Sequence, residues 1–367
     1  ERYWAGDIPW VTTSLVDFNV IQSAEEFITQ EGLDNSSAKL FPQNTILMAM
    51  YGQGITRGKV AILGIDATTN QACAAIKLKT NFDTQFIFQN LMNRYEEIRD
   101  LSNEGGQKNL SAGIIKEVEV NYPEKKEQAK IASFLSAVDE KISQLNQKHR
   151  LLCEYKQGMM QKLFSQQLRF KADDGSEFGE WDETTLGEIG IFLKGKGIPK
   201  ADIVENGLTP CIRYGELYTH YGEVISKVIS ATNVEIQNLV LSKANDVLIP
   251  ASGETQIDIA TASCVLKGEI ALSGDLNIFR TEENGIFLSY LIRSHLKMQI
   301  AQLAQGNSVV HLYSSQLKGV QLNLPCLEEQ TKIANFLSSI DQKIEVVAQQ
   351  IEQAKQWKKG LLQQMFV

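Results

Sequence analysis

Paired cysteines are missing from this sequence. Its five cysteines, Cys73, Cys153, Cys211, Cys264 and Cys326, are odd in number and scattered, and no two are spaced as Cys-x-x-Cys. This pattern argues against a disulfide framework and against a cysteine-ligated zinc site. Because such cysteines suit a reducing compartment, we expect a cytoplasmic protein.

Long apolar runs are missing as well. No stretch approaches the roughly 20 consecutive apolar residues that a membrane-spanning helix requires, and the opening ERYWAGDIPW lacks the pattern of a signal peptide. With 43% hydrophobic and 22% charged residues in a chain of 367, the composition is that of a globular protein with room for two domains. We therefore expect no membrane partner.

Catalytic motifs are also absent. The sequence contains no Walker lysine loop, no His-Glu-x-x-His and no Gly-x-Ser-x-Gly. Residues 52–58 have the spacing Gly-x-Gly-x-x-x-Gly, which differs from the dinucleotide fingerprint and favours a turn. The four histidines share no ligand spacing. We expect no catalytic residues, no metal site and no cofactor in this chain.

What the sequence does contain is one long segment that occurs twice. Residues 123–164 return as residues 325–366, and the register never slips, so that Gln128 corresponds to Gln330 and Asp139 to Asp341, each 202 positions further on. Internal repetition of this kind fixes the architecture of a protein before any local assignment is made.

Each copy of the repeated segment has the pattern of a long helix. Its apolar positions recur by threes and fours, as in the seam of a coiled coil, and no proline follows Pro123 or Pro325 within either copy. At about 1.5 Å per residue, each helix is on the order of 60 Å long. We expect the two seams to pack against each other, antiparallel; the alternative is an ordinary amphipathic helix in each domain.

The regions around the two helices repeat the same plan. In the first, apolar runs at 45–50 and 60–63 predict strands, residues 83–101 predict a helix capped by Asp83, and residues 118–120 predict a short strand. In the second, 246–250 and 286–304 correspond to the first of these strands and to the helix.

The predicted architecture is therefore α/β (α+β), with a pseudo-twofold internal repeat. It has two similar globular domains separated by a pair of long antiparallel coiled-coil helices. The predicted boundaries are 1–121 for the first domain, 122–168 for the first helix, 169–181 for a polar linker, 182–324 for the second domain and 325–367 for the second helix.

The repeat also predicts a gap. The displacement of 202 places Glu1 opposite Ile203, so the first domain has no counterpart of residues 182–202. We expect the N-terminal part of that domain to be absent from this sequence, including its opening strands and its equivalent of the loop at 194–197.

Charge is unevenly distributed along the chain. The net charge is −8, yet residues 122–172 hold ten Lys and Arg against five Asp and Glu, whereas residues 173–323 hold eleven against nineteen. Because phosphate contacts depend on local charge, a nucleic-acid surface would have to be a basic patch on an acidic body.

Two groups of loop residues have the composition of such a surface. Glycines allow close approach to phosphate, lysines supply counter-charge, and Arg and Gln can read guanine and adenine. The alternative is that these are solvated surface loops. The candidates in the second domain are Lys194, Lys196, Lys200, Arg213, Tyr214, Tyr218, His220, Tyr221, Ser252 and Gln256. Those in the first domain are Tyr51, Gln53, Thr56, Arg57 and Lys59.

Taken with the repeat, these residues give the sequence a resemblance to a known family. The motif Glu-Gln-x-Lys-Ile-Ala-x-Phe-Leu occurs at 127–135 and again at 329–337, and each copy ends in Lys-x-Gly, at 156–158 and 358–360. With Leu-Gly-Glu-Ile at 186–189, the chain resembles the specificity subunit of type I restriction–modification enzymes.

The resemblance implies a function for each part. The two globular domains would be target-recognition domains, each reading one half of a bipartite site in double-stranded DNA, and the helices would set the spacing and dock two modification (methyltransferase) subunits. S-adenosylmethionine, ATP and Mg would bind only to these modification subunits and to the restriction subunits. Two alternatives remain: a scaffold that binds no DNA, and a methyltransferase or nuclease in its own right.

Overall fold

The computed structural model describes residues 2–52, 55–101, 109–306 and 309–366. The chain divides into a first unit, residues 1–147 with 349–367, and a second unit, residues 148–348. Both predicted long helices therefore contribute residues to both units.

The first unit contains short strands, four short helices and part of each long helix. Its strands are β1 (Trp4–Val11), β2 (Val20–Ile21), β3 (Glu26–Ile28), β4 (Ile46–Ala49), β5 (Val60–Leu63), β6 (Thr68–Thr69) and β7 (Cys73–Ile76). Its helices are α1 (Gln30–Asp34), α2 (Thr84–Asn93), α3 (Tyr95–Asp100), α4 (Ala112–Lys116) and the first part of α5 (Lys125–Phe164). The strands form one sheet of order β3-β1-β6 and another of order β2-β5-β4-β7.

The second unit repeats this plan with additional strands. Its strands are β8 (Asp182–Thr185), β9 (Gly190–Lys194), β10 (Ile203–Val204), β11 (Thr209–Ile212), β12 (Val224–Ile225), β13 (Ser230–Thr232), β14 (Val247–Pro250), β15 (Ser252–Gly253), β16 (Ser263–Val265), β17 (Ala271–Leu272), β18 (Leu276–Thr281), β19 (Val310–His311) and β20 (Gln321–Leu324). Its helices are α6 (Leu186–Ile189), α7 (Glu216–Thr219), α8 (Gln256–Ile259), α9 (Gly285–Arg293), α10 (Lys297–Leu303), α11 (Ser314–Leu317) and most of α12 (Leu327–Met365).

The sheets of the two units share strand order and register. The larger sheet of the second unit has the order β12-β16-β14-β18-β9, and β10-β13-β11-β17 forms the other large sheet. Leu248 faces Ile278 across β14 and β18, and Ile46 faces Ile76 across β4 and β7, again 202 positions apart. The internal repeat is thus confirmed at the level of individual strand pairs.

The strands predicted at 45–50 and 60–63 and the helix predicted over 83–101 form in the first unit, with one break in the helix. Strands β4 and β5 are fully buried and antiparallel, as their unbroken apolar runs predict. The helix predicted over 83–101 divides at Arg94 into α2 and α3. Asp83 caps α2 as predicted, because its carboxylate accepts a hydrogen bond from the backbone N–H of Phe86 at 2.9 Å.

The short strand predicted at 118–120 is wrong. Residues 114 and 115 belong to α4, and residues 117–123 form no strand. In the second unit the equivalent residues 321–324 do form a strand, β20, which pairs with β8 along its whole length. A strand needs a partner for its backbone groups, and the described residues of the first unit provide no equivalent of β8.

The segment predicted as a polar linker packs against the second unit. The ring of Phe170 contacts that of Phe336 with centroids 5.5 Å apart, and Trp181 is buried against Phe287. Residues 169–181 therefore pack against α9 and α12.

The two long helices run antiparallel within each unit. In the first unit, Phe366 packs in the same core as Ile131, and further along the pair Lys358 Nζ lies 2.6 Å from Asp139. In the second unit, Phe164 packs in the same core as Ile333, and Lys156 Nζ lies 2.7 Å from Asp341. These contacts confirm the predicted antiparallel pairing.

A buried glutamine joins each long helix to its globular part. In the first unit the side-chain oxygen of Gln128 accepts a hydrogen bond from the N–H of Asp83 at 2.9 Å, and its amide donates to the carbonyl of Pro123 at 2.9 Å. In the second unit Gln330 makes the equivalent bonds to Asn284 and Pro325, at 3.0 and 2.8 Å. Each glutamine therefore fixes the first turn of a long helix to the N-terminus of α2 or α9.

A salt bridge adds a second junction in each unit. Asp139 accepts from the Gln89 amide at 2.9 Å as well as from Lys358. Asp341 accepts from the hydroxyl of Tyr290, and burial together with this carboxylate raises the pKa of Tyr290. The carboxylate at the repeated position thus connects both long helices to the globular part of each unit.

We predict that Gln330→Ala destabilises the protein by about 1–3 kcal/mol, because it removes the fully buried Gln330 amide and leaves the half-buried N–H of Asn284 without this partner. Urea unfolding measures the change. The matched control is Gln144→Ala on α5, whose side chain is exposed. Equal unfolding midpoints for the two variants would contradict the role assigned to Gln330.

Candidate nucleic-acid interface

The predicted lysine loop of the second unit, residues 194–200, follows directly from β9. Its backbone is held by hydrogen bonds from Gly195 N to the carbonyl of Leu276 at 3.1 Å and from Lys196 N to that of Leu272 at 3.0 Å. Ile198 adopts a positive φ of 59° and is only 2% exposed, so it anchors the loop in the protein. Lys194, Lys196 and Lys200 are all exposed on this fixed backbone.

Glycine is required at position 195 because the lysine loop passes very close to the connection between β17 and β18. A Cβ atom at Gly195 would lie 1.9 Å from the carbonyl oxygen of Ser273. At Gly197 the backbone has a φ of +65°, a conformation that residues other than glycine rarely adopt.

Three loops that carry candidate residues of the second unit converge on residues 272–276. The lysine loop bonds to both ends of this segment, and Ser273 N donates to the carbonyl of Ile212, the residue before Arg213, at 3.0 Å. Ala251 N, next to Ser252, donates to the carbonyl of Asp275 at 2.9 Å. The fold thus brings together three loops that are far apart in the sequence.

Arg213, Tyr214 and Tyr218 form a half-buried group beside this segment. Burial raises the pKa of Tyr218, and the nearby Glu254 and Asp258 raise it further, while Arg213 opposes them. The guanidinium of Arg213 and the carboxylates of Glu254 and Asp258 therefore all lie near the hydroxyl of Tyr218.

The remaining aromatic candidates differ in exposure. His220 is exposed, with Nδ1 2.6 Å from the hydroxyl oxygen of Thr219. Tyr221 is buried, its hydroxyl accepts a hydrogen bond from Ile229 N at 3.0 Å, and burial raises its pKa to about 12. This environment favours a structural role for Tyr221.

Ser252 and Gln256 lie beyond β14, as their correspondence with the first domain predicts. Ser252 is 5% exposed and pairs with His311 between β15 and β19. Gln256 is exposed and donates to the carbonyl of Ala304 at 3.3 Å.

Sequence reasoning missed an exposed aromatic pair beside Ser252. The rings of His311 and Tyr313 stack with centroids 6.2 Å apart and an interplanar angle of 20°, and both residues are exposed. His311 ends β19 and Tyr313 precedes α11, and no sequence pattern linked the two residues.

The candidates of the first unit lie on the connection between β4 and β5. Tyr51 is 40% exposed and Thr56 is half-buried. Arg57 Nε donates to the carbonyl of Arg99 at 3.1 Å, and Lys59 Nζ lies 2.6 Å from Asp17. The cations of this connection are therefore engaged within the protein, and Gln53 lies outside the described residues.

Among the described residues, no cluster of three or more His, Cys, Asp or Glu side chains could hold a metal ion. No helix within the described ranges has the length and apolar character needed to span a membrane.

Comparison with known proteins gives a consistent result along the chain. A family model described as type I restriction modification DNA specificity domain matches residues 1–152 and 179–356. The chain is 24% identical over 380 residues to the type I restriction enzyme MjaIX specificity subunit of Methanocaldococcus jannaschii, covering 99% of this chain and 86% of that protein. It is 26% identical over 299 residues to the MjaVIII specificity subunit of the same organism, covering 76% and 68%.

Solved structures show a similar fold. The type I restriction–modification system S subunit from M. genitalium superposes with a TM-score of 0.59 at 17% identity, covering 99% of this chain and 89% of that one. The HsdS subunit from Thermoanaerobacter tengcongensis gives a TM-score of 0.51 at 15% identity, covering 99% and 90%. At these identities the likeness concerns the fold.

We predict that Gly195→Ala lowers the free energy of unfolding by on the order of 1–3 kcal/mol, because the added methyl group overlaps the backbone of Ser273. Urea unfolding of the full chain checks this. Gly222→Ala is the matched control, since a Cβ at Gly222 meets nothing within 4 Å. A Gly195→Ala protein as stable as that control would show that the loop moves freely.

Proposed function

Because this chain belongs to the family of type I restriction–modification DNA specificity domains, we propose that it gives such a system its DNA sequence specificity. The observation that carries this proposal is the double repeat: both family matches fall on units with the same strand register. The resemblance predicted from the motifs at 127–135 and 329–337 is confirmed by the family match.

Each unit reads one half of a bipartite DNA site in this proposal. Phosphate contacts position a protein on a duplex, and contacts to base edges specify the sequence. In the second unit the exposed Lys194, Lys196 and Lys200 suit the first task, because their backbone is fixed while their ammonium groups face solvent. Arg213, together with the exposed His311 and Tyr313, has the chemistry for the second.

The first unit reads the other half-site by different means. Its β4–β5 connection presents Tyr51, while Lys59 is already paired with Asp17. The two units have the same strand register but dissimilar loops. They would therefore read two dissimilar half-sites, and the complete site would be asymmetric.

The chain acts without catalysis of its own in this proposal. Two modification subunits dock on the long helices, whose exposed side chains include Phe134, Leu151, Tyr155, Val346 and Trp357, and the helices set the distance between the half-sites. S-adenosylmethionine, ATP and Mg bind to the modification and restriction subunits, and the complex works in the cytoplasm, where its DNA lies. The similarity to two specificity subunits of type I restriction enzymes supports this division of labour.

A scaffold that binds no DNA is the second candidate, and the net charge of −8 favours it. The two candidates differ in the salt dependence of DNA affinity. A scaffold has none, whereas each neutralised phosphate of duplex DNA contributes about −0.9 to the slope of log K against log salt.

The deciding experiment is footprinting of the chain assembled with its modification subunits. We expect two protected half-sites separated by an unprotected spacer, because two separate units contact the duplex. Protection of one continuous site, or no protection at any salt concentration, would contradict the proposal.

The lysine loop gives a second test. We predict that the double variant Lys196→Ala, Lys200→Ala weakens binding to all DNA sequences and reduces the salt slope by about 2, because two phosphate contacts are lost. The measurement is a salt titration of DNA affinity in the assembled complex.

The control for that test is the double variant Lys243→Ala, Lys267→Ala. It removes the same charge from the same unit, and both lysines are exposed. Lys243 lies before the start of β14. The lysine loop, in contrast, lies near the residues that follow the end of β14. Equal salt slopes for the two double variants would remove the lysine loop from the interface.

A further inference from the structure

Lys156 of α5 joins three other segments of the second unit. Its Nζ lies 2.7 Å from a carboxylate oxygen of Asp341 on α12, and 2.9 Å from one of Glu223, which precedes β12. The same ammonium group lies 5.1 Å from the centre of the Tyr290 ring on α9. The side chains of Lys156 and Glu223 are only 14% and 13% exposed, so solvent and salt screen this pair little.

Glu223 comes directly after a segment that carries candidate DNA-binding residues. This segment, residues 213–221, includes α7, and we call it the recognition segment. The backbone of Glu223 is fixed as well, because its carbonyl accepts a hydrogen bond from Cys264 N at 2.8 Å. The ion pair with α5 therefore holds the end of the recognition segment. The segment contains Arg213, Tyr214, Tyr218, His220 and Tyr221.

A second cation, Arg293 of α9, holds the backbone of the recognition segment. Its Nη2 donates to the carbonyls of Leu217 and Tyr221, both at 2.7 Å. A helix of one turn, such as α7, leaves carbonyl groups without a partner inside the helix, and Arg293 supplies donors for them. Burial lowers the pKa of Arg293, while the charges of Glu223 and Asp341 oppose this effect. Arg293 thus lies near the same two carboxylates that the lysine of α5 contacts.

In the first unit an uncharged residue occupies the position of Glu223. The carbonyl of Asn19 accepts a hydrogen bond from Ile62 N at 3.0 Å, as that of Glu223 does from Cys264, which lies 202 positions after Ile62. The side-chain oxygen of Asn19 accepts from the backbone N–H of Asp17 at 3.1 Å. This side chain carries no charge with which a lysine could pair.

The first unit has no counterpart of the second cation either. Met92 of α2 and Arg293 of α9 each lie nine residues after the caps of their helices, Asp83 and Asn284. A thioether has no N–H group to donate. The first unit therefore keeps the salt bridge between the long helices, made by Lys358. Among its described residues it lacks both connections from the helices to the loop.

We infer that Lys156 and Arg293 are positioning residues, which fix the recognition segment of the second unit against α5, α9 and α12. Lys156 acts through Glu223, and Arg293 acts through two backbone carbonyls. The side chains of the recognition segment then meet base edges from one fixed position, whereas the first unit reads its half-site without such a connection. The inference rests on the proposed function, since it concerns the sequence preference of bound DNA.

A positioning role and a purely stabilising role have different consequences. A pair that only stabilises the fold lowers the free energy of unfolding and leaves the preference for particular bases as it was. A hydrogen bond to a base tolerates only a few tenths of an ångström in length. A small shift of the recognition segment therefore removes base contacts at one half-site while the fold stays intact.

The decisive comparison is between Lys156→Met and the matched variant Lys358→Met, each in the chain assembled with its modification subunits. Both substitutions remove one salt bridge between the long helices, so we expect both to lower the thermal unfolding midpoint of the chain. Only Lys156→Met also breaks the connection to the recognition segment through Glu223.

The measured quantity is discrimination, the ratio of the Kd for DNA with one half-site altered to the Kd for the complete site, at fixed salt. We expect Lys156→Met to lower discrimination at one half-site about tenfold, which is the size of one base contact, and to leave the other half-site unchanged. Lys358→Met should leave discrimination unchanged at both half-sites.

Two further variants keep the test informative if Lys156→Met folds poorly. Glu223→Gln keeps the shape of the side chain and removes its charge, and Arg293→Lys keeps a charge and loses the paired donation to the carbonyls. We expect both to lower discrimination at the same half-site. Because Lys156→Met and Glu223→Gln remove one shared contact, the double variant should lose no more than Lys156→Met alone.

Three results would overturn the inference: unchanged discrimination in Glu223→Gln and Arg293→Lys, an equal loss at both half-sites, or the same loss in Lys358→Met. Failure of the proposed function has a different signature. In that case the unsubstituted complex itself would show no discrimination at either half-site.

Discussion

The two buried glutamines, Gln128 and Gln330, are the contacts on which each unit depends. A glutamine amide carries both a donor and an acceptor, so one side chain can satisfy a free N–H at the start of one helix and a free C=O at the start of another. Gln128 does this for α2 and α5, and Gln330 does it for α9 and α12. An unpaired buried polar group is costly. Because both ends of the glutamine amide are paired only at one crossing angle and one register of the two helices, the amide specifies that geometry.

The two units share the residues that join their globular parts to the long helices, and they differ in their loops. The carboxylates Asp139 and Asp341 occupy equivalent positions and each accepts a lysine from the other long helix. Residues 252–253 and 256–259, which follow β14, form strand β15 and helix α8, whereas the described residues between β4 and β5 form neither a strand nor a helix. The loops can therefore differ without disturbing the junctions with the long helices.

Much of the fold could be predicted from the sequence because its signals are local and occur twice. The spacing of apolar residues and the positions of proline predict the long helices. The residue type of Asp83 is enough to predict that it caps α2. The absence of a strand at 118–120 could not be predicted, because strand formation there depends on a partner that, among the described residues, only the second unit has, at 182–185. The candidate site was less predictable still. The pairing of Lys59 with Asp17 spans 42 residues, and the burial of Tyr221 and the exposure of His311 depend on packing between distant segments.

The ring of Phe366 packs on Phe86 inside the first unit, and this contact orders events during translation. The ribosome releases residues 1–147 long before it reaches 349–367, at roughly 5–20 residues per second. Until then the nascent first unit lacks the antiparallel partner of α5, whereas the second unit already has all its residues. The half of the protein that is synthesised first therefore reaches its native state last.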